Sequence, residues 1–374
     1  MVENAWRINF LGSPMSRLCK KIKQAKLELK QWNRSCFDNV QSKIKEAWKN
    51  LDQIQCLDPN PQNLEKEANL CMEIQELLKR EEILWRQKSR IKSLTSSDLN
   101  TRFFYLSTVI RQRRNSIDFM KKENGEWISG WEEIGQCFQT FFNNLFSSST
   151  PDIPYDLNNL IPRCITPEDN EMLLVMPSME EIKTTVFSMD SHKAPGPDGM
   201  SPLFFKHYWH LIGGDVVNAV LSFFQGGCML REINHTFITL IPKNERAAMV
   251  NQFRLISLCN VLYKIISKLS ILINGSPYGF FQPQRGLRQG DPLSPFLFII
   301  AAEVLSKLLQ KEEESKKLKG IKIAKGSQPI SHLQFADDFF IFGRADEENI
   351  RSIKECLSTY SSWSGQKINT HKST

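Results

Sequence analysis

Between residues 16 and 54, apolar side chains recur at helical spacing: Leu18, Ile22, Leu29, Trp32, Val40, Ile44, Trp48 and Leu51. Lysines fill the gaps between them, which predicts one long amphipathic helix. After the break at Pro59-Asn60-Pro61, a second apolar stripe runs from Leu64 through Leu70, Ile74, Leu77, Leu78 and Trp85 to about residue 91. The two segments should fold back as a helical hairpin occupying residues 1–95. A third stripe, Phe138, Phe141, Phe142, Leu145 and Phe146, reads as a packing face. The Ser/Pro-rich stretch 147–155 reads as a linker. Beyond it, short apolar runs alternate with Pro/Gly loops, the punctuation of an α+β region with a functional surface. Near the C-terminal end, Leu333 and the run Phe339, Phe340, Ile341 and Phe342 flank an acidic pair. This predicts a buried β-hairpin with Asp337 and Asp338 at its turn.

Charge sharpens one region. The chain of 374 residues carries a net charge of +7, which favours polyanionic partners. Arg86, Lys88, Arg90, Lys92, Arg102, Arg111, Arg113, Arg114, Lys121 and Lys122 crowd one stretch whose only acids are Asp98 and Asp118, with Phe103, Phe104 and Tyr105 interleaved. Such a mixture suits phosphate contact and base stacking, while the same aromatics also suit a core. The nine cysteines are scattered and form no C-x-x-C pair with His at zinc spacing, so they read as reduced thiols of a nuclear or cytoplasmic protein. The N-terminus lacks the apolar run of a signal peptide, and no stretch approaches a membrane span.

Three blocks can carry chemistry. Adjacent carboxylates at Asp337 and Asp338 repel each other, and a hard cation is a physical reason to keep them together. Two Mg²⁺ ions held by carboxylates stabilise the attacking and leaving oxygens of a phosphoryl transfer. Arg285-Gly286-Leu287-Arg288-Gln289-Gly290-Asp291-Pro292 delivers a polar loop onto a helix start, with Asp291 as cap and Pro292 in the first turn. The rigid turn Lys193-Ala194-Pro195-Gly196-Pro197-Asp198-Gly199 precedes Lys243 and Arg254, cations beside apolar β-like runs that can reach a triphosphate. Each block also has an ordinary reading, as a turn, a capped helix or a solvated cation.

Taken in order, these blocks resemble the reverse transcriptase of non-LTR (LINE-type) retrotransposons, particularly plant ones. The similarity runs through 193–199, 238–243, 253–260, 285–295, 335–338 and Ser364-Gly365-Gln366-Lys367-Ile368-Asn369. It reaches upstream through Asn100-Thr101-Arg102-Phe103-Phe104, Gly125-Glu126-Trp127 and Phe141-Phe142-Asn143-Asn144-Leu145-Phe146. The resemblance implies a right-hand polymerase with fingers over 167–270 and a partial palm over 271–374, preceded by the nucleic-acid-contacting segment 96–150. It implies Mg²⁺ as cofactor, and RNA template, DNA primer and deoxynucleoside triphosphates as partners. By the same resemblance, Asp337 and Asp338 are metal ligands, and Lys367 helps protonate the leaving pyrophosphate. Arg288, Gln289 and Gly290 contact template and nucleotide, while Lys243 and Arg254 approach the triphosphate.

The departures from the family are as informative. Where a long segment carrying the first palm strand and its metal-binding Asp is expected, only Leu269 and Ser270 separate Lys268 from Ile271. Asp190, Asp198 and Asp215 are the nearest upstream acids, and none lies in an apolar strand ending at a suitable turn. Leu255 replaces a usual proline. The expectation is therefore a truncated, internally deleted polymerase lacking endonuclease and thumb, catalytically impaired because its metal site is short of a ligand. Loss of that strand should also leave the central sheet with exposed apolar neighbours. The competing reading is a noncatalytic RNA- or DNA-binding remnant or a helical interaction protein.

Overall fold

The computed structural model describes residues 1–37, 40–91, 100–147, 151, 157–162, 164, 166–226, 228–264, 270–273, 276–277, 287, 289–290, 294–335, 338–366, 368–369 and 373. They form two compact units, one made of 1–135 with 177–278 and the other of 136–176 with 279–374.

The first unit opens with α1 (Val2–Trp6) and α2 (Pro14–Phe37), continues through α3 (Val40–Gln55) and α4 (Pro61–Ser89), and reaches α5 (Thr101–Asn115). Asn60 caps α4 by accepting from the Asn63 amide at 2.8 Å, and Pro61 occupies the first turn, where its missing N–H costs nothing. Helices α3 and α4 run antiparallel. Ala47, Leu51, Ile74 and Leu77 are buried between them, and Gln41 and Gln55 donate across to Glu81 and Glu67. Helix α2 has a different partner: its Leu18, Ile22 and Ala25 pack with Trp6, Phe205, Ile212 and Val216. Over 16–54 the described residues are helical on both sides of 38–39, as the pattern predicts, and the two stretches serve two cores. Periodicity reports an apolar face but not what covers it.

Next come β1 (Phe119–Lys121) and β2 (Trp127–Ser129), an antiparallel ribbon that buries Met120 and Ile128. Then follow α6 (Trp131–Phe146), α7 (Leu157–Leu160) and α8 (Pro167–Leu174). Phe138 and Phe142 of α6 are buried and stack at 6.0 Å, in keeping with a packing stripe.

The chain returns to the first unit with α9 (Met179–Ser188), α10 (Pro202–His207), α11 (Trp209–Gly226) and α12 (Arg231–Asn234). Strands β3 (Thr236–Pro242), β4 (Phe253–Cys259), β5 (Ser270–Ile273) and β6 (Ser276–Pro277) form a sheet of order β4-β3-β5-β6. The β3–β4 pair is antiparallel, with Ile241 opposite Arg254 and Leu240 opposite Leu255. β5 lies parallel to β3, with Ile271 opposite Ile238. The short junction after residue 268 therefore leads directly into a strand beside β3.

The second unit adds α13 (Ser294–Glu314), β7 (His332–Phe335), β8 (Asp338–Ile341) and α14 (Glu347–Ser364). Its core joins Leu305 and Leu309 of α13 to Leu318, Cys356 and Tyr360, with Phe339 and Ile341 packed against it. Asp346 caps α14 by accepting from the Asn349 amide, and Gly365 ends it at φ 69°. The fold is therefore mixed, mostly helical with small sheets, and among the described residues no helix is long and apolar enough to cross a membrane.

Candidate nucleic-acid and nucleotide site

The acidic hairpin forms where the alternation predicted it, with antiparallel pairs Leu333–Phe340, Gln334–Phe339 and Phe335–Asp338. Ala336 and Asp337 fall between the strands and lie outside the described residues, as do Arg288 and Lys367. Asp338 is thus the first residue of β8 rather than part of the turn. The expectation of a buried hairpin is corrected as well. Strand alternation puts Phe339 and Ile341 on the core, while Phe335 is 79% exposed, Phe340 59% and Leu333 54%. Asp338 shares that open face and is exposed. On the covered side, His332 stacks on Phe339 and meets Ser306 Oγ at 2.6 Å, and burial lowers its pKa, favouring the neutral ring.

Gln289 and Gly290 are exposed turn residues, and Gly290 takes φ 100°, a conformation that favours glycine. Asp291 and Pro292 lie outside the described residues, and α13 is described from Ser294.

In the first unit, Lys243 and Arg254 are brought together. Ile241 pairs with Arg254, and the Lys243 amide donates to the Gln252 carbonyl at 2.9 Å, so both cations stand at one end of the β3–β4 ladder. Their positions are diagonal on one face, roughly 7–8 Å apart. Arg254 is exposed, and Lys243 Nζ turns back to donate to the Asn251 carbonyl at 2.6 Å. The same end of the sheet meets the basic segment. Arg114 pairs with Glu245 at 2.8 Å, and the Lys121 amide donates to the Ala248 carbonyl at 2.8 Å. Arg102, Arg111, Arg113 and Arg114 are all exposed. Arg102 and Arg113, about three turns apart, share one stripe of α5, and Arg111 lies roughly opposite. The interleaved aromatics differ in burial. Phe104 is buried at 1%, Tyr105 packs edge-on against Trp85, and Phe103 is 46% exposed.

None of the upstream acids takes the place of the expected palm ligand. Asp215 accepts from Trp6 Nε1 at 2.7 Å and Lys21 Nζ at 2.9 Å, and Asp190 accepts from the His192 amide. Asp198 sits in the 193–199 loop beside a pocket of about 490 Å³ lined by Lys26, Glu232, His235 and Asn260. Its Oδ1 accepts from the Met200 amide at 2.9 Å. Desolvation raises its pKa to about 6, although the Met200 bond, Lys26 and Lys264 favour the charged form. The same enclosure pushes the Cys19 thiol up to about 12.

A folded pKa raised above the unfolded one means that Asp198 adds stability below the unfolded carboxylate pKa. That contribution disappears as pH rises through about 6. Asp198→Asn should therefore raise stability well above pH 6 by about 3 kcal/mol and have little effect at pH 3.5. Urea unfolding of both proteins across this range checks it, and a pH-independent difference would contradict the assignment.

Among the described residues, no group of three His, Cys, Asp or Glu is placed to hold a metal ion.

The sequence comparisons bear on the same segments. Residues 269–374 match the family model "Reverse transcriptase (RNA-dependent DNA polymerase)". A stretch of 70 residues, 19% of this chain, is 54% identical to an uncharacterized mitochondrial protein of Arabidopsis thaliana and covers 57% of it. A longer stretch of 183 residues, 48% of this chain, is 27% identical to the transposon TX1 uncharacterized 149 kDa protein of Xenopus laevis and covers 14% of it. The chain thus spans little more than half of one curated relative and a small part of the other. From residue 269 onward the chain is thus similar to reverse transcriptase domains, and one of its two relatives is named a transposon protein.

Proposed function

We propose that this chain is a nucleic-acid-binding derivative of an RNA-directed DNA polymerase that does not itself extend a primer. In this reading, 167–270 corresponds to fingers and 271–374 to a partial palm. Lys243 and Arg254 approach a triphosphate, Arg288, Gln289 and Gly290 meet template and nucleotide, and Lys367 stands near the leaving group. Arg102, Arg111, Arg113 and Arg114 contact the nucleic-acid backbone. Asp337 and Asp338 are what remains of the ligand set for Mg²⁺, which in the family supports template-directed nucleotidyl transfer.

The observation that supports it best is the state of the acidic hairpin. Among the described residues, β7 and β8 make a sheet of two strands, and Asp338 lies on its open face. Carboxylates must converge from more than one strand to hold two magnesium ions, and a lone hairpin leaves such a set incomplete.

Binding can be tested apart from catalysis. With the four arginines as phosphate contacts, affinity for single-stranded RNA should fall roughly 50-fold between 50 and 200 mM salt, from a slope of about −0.7 per contact. Replacing Arg111 and Arg113 by alanine should flatten that slope by about 1.4. Fluorescence anisotropy reads both, and an affinity indifferent to salt would argue against nucleic-acid binding.

A further inference from the structure

The β1–β2 ribbon carries a feature that the assignment of site residues leaves unused. Its inward residues, Met120 and Ile128, are buried at 0% and 4%, while Phe119 is 65% exposed and Trp127 is 61% exposed on the opposite face. The register sets Phe119 opposite Ser129 and Lys121 opposite Trp127, so the two rings are diagonal neighbours on one open surface. Diagonal positions lie roughly 7–8 Å apart, close enough to act together and far enough for each ring to accept its own base. Large aromatics left in water on a three-residue strand add nothing to this unit's core, and a stacking partner would recover their buried area.

The surroundings specify what that partner carries. The Lys121 amide bond to the Ala248 carbonyl and the Arg114–Glu245 ion pair fasten the ribbon and the end of α5 to the β3–β4 turn. Arg111, Arg113 and Arg246 are exposed on these joined segments, and Lys121 stands directly opposite Trp127 on the face that carries both rings. Aromatic faces flanked by cations match unpaired bases on a phosphate backbone, whereas a duplex offers phosphates but hides its base faces.

We infer that Phe119 and Trp127 form a stacking platform for two bases of a single strand of RNA, delivered toward the Lys243 end of the sheet. This rests on the reading of the chain as a nucleic-acid binder and adds to it a position, a strandedness and two residues.

The test uses the full chain, a fluorescein-labelled single-stranded RNA of about twelve nucleotides, and an RNA hairpin duplex of similar charge. Phe119→Ala and Trp127→Ala should each weaken single-strand binding roughly tenfold, and the double variant about a hundredfold. The salt slope should stay the same, because stacking releases no counterions. Trp127→Phe should retain most of the affinity, while Trp127→Leu, which keeps an apolar side chain on the strand, should lose it. Duplex affinity should not change. If the double alanine variant binds single strands as the parent does while Arg111→Ala and Arg113→Ala weaken binding, the platform is overturned and the nucleic-acid reading stands. If the parent chain binds no RNA, both are overturned.

Discussion

Replacing Asn260 by alanine is expected to destabilise the first unit by about 4 kcal/mol, the largest loss anticipated from any single polar side chain. Asn260 follows β4 and is 4% exposed. Its Oδ1 accepts from the Asp198 amide at 3.0 Å, and its Nδ2 donates to the carbonyls of Glu232 at 3.0 Å and Ile233 at 3.2 Å. One amide therefore joins the 193–199 loop, α12 and the end of β4. Alanine leaves a buried N–H and two carbonyls without this partner, and each such group costs about 1–3 kcal/mol.

The contact is equally tight from the other side. A Cβ added to Gly196 would fall inside the van der Waals shell of Asn260 N, Asn260 Oδ1 and the Cys259 carbonyl carbon. Those are mostly backbone atoms with no room to yield, which explains glycine at that point of the loop. Asn260→Asp should be no better than alanine at neutral pH, because a carboxylate still accepts from Asp198 N but faces two carbonyls and the Asp198 carboxyl. Urea unfolding measures these differences, and a loss below about 1 kcal/mol would show that the loop is held by other means.

Asn260 also marks a limit of sequence reading. The loop 193–199 announces itself through its Pro and Gly residues, but a staple made 62 residues later along the chain leaves no local pattern. Elements whose signal is local were legible. Helix α4 follows the Pro59-Asn60-Pro61 break, beginning at Pro61 rather than at Leu64, and the hairpin of β7 and β8 follows from two apolar runs around a short turn. Lys243 and Arg254 were recognisable as strand-end cations, and the ladder then aligns them.

Partner choice was not legible. Leu18 and Ile22 have the same spacing as Ala47 and Leu51, yet the first pair faces α11 and the second faces α4. Asp338 reads as a turn residue in the sequence and instead opens β8 opposite Phe335, because two acids in sequence do not say where the strand begins. The open face of β1 and β2 was missed because three-residue strands carry too little alternation to register. Gly125-Glu126-Trp127 was visible only as a family signature, without a role for the ring.

The second large effect is a loss of function: a folded, RNA-binding sample should add no deoxynucleotides to a primer. Two described acids upstream of the hairpin have other partners, Asp215 with Trp6 and Lys21, and Asp198 with the Met200 amide beside Asn260. Asp215 lies on α11 and Asp198 in a loop, so neither is carried by a strand. Without a carboxylate from a second strand, phosphoryl transfer lacks the clamp that stabilises its attacking and leaving oxygens. The most direct measurement is primer extension on an RNA template with Mg²⁺ and all four deoxynucleotides, comparing the chain with an Asp337→Ala, Asp338→Ala variant. The account predicts that neither extends the primer although both bind the template. Extension by the parent that vanishes in the variant would contradict it and show that another acid completes the site.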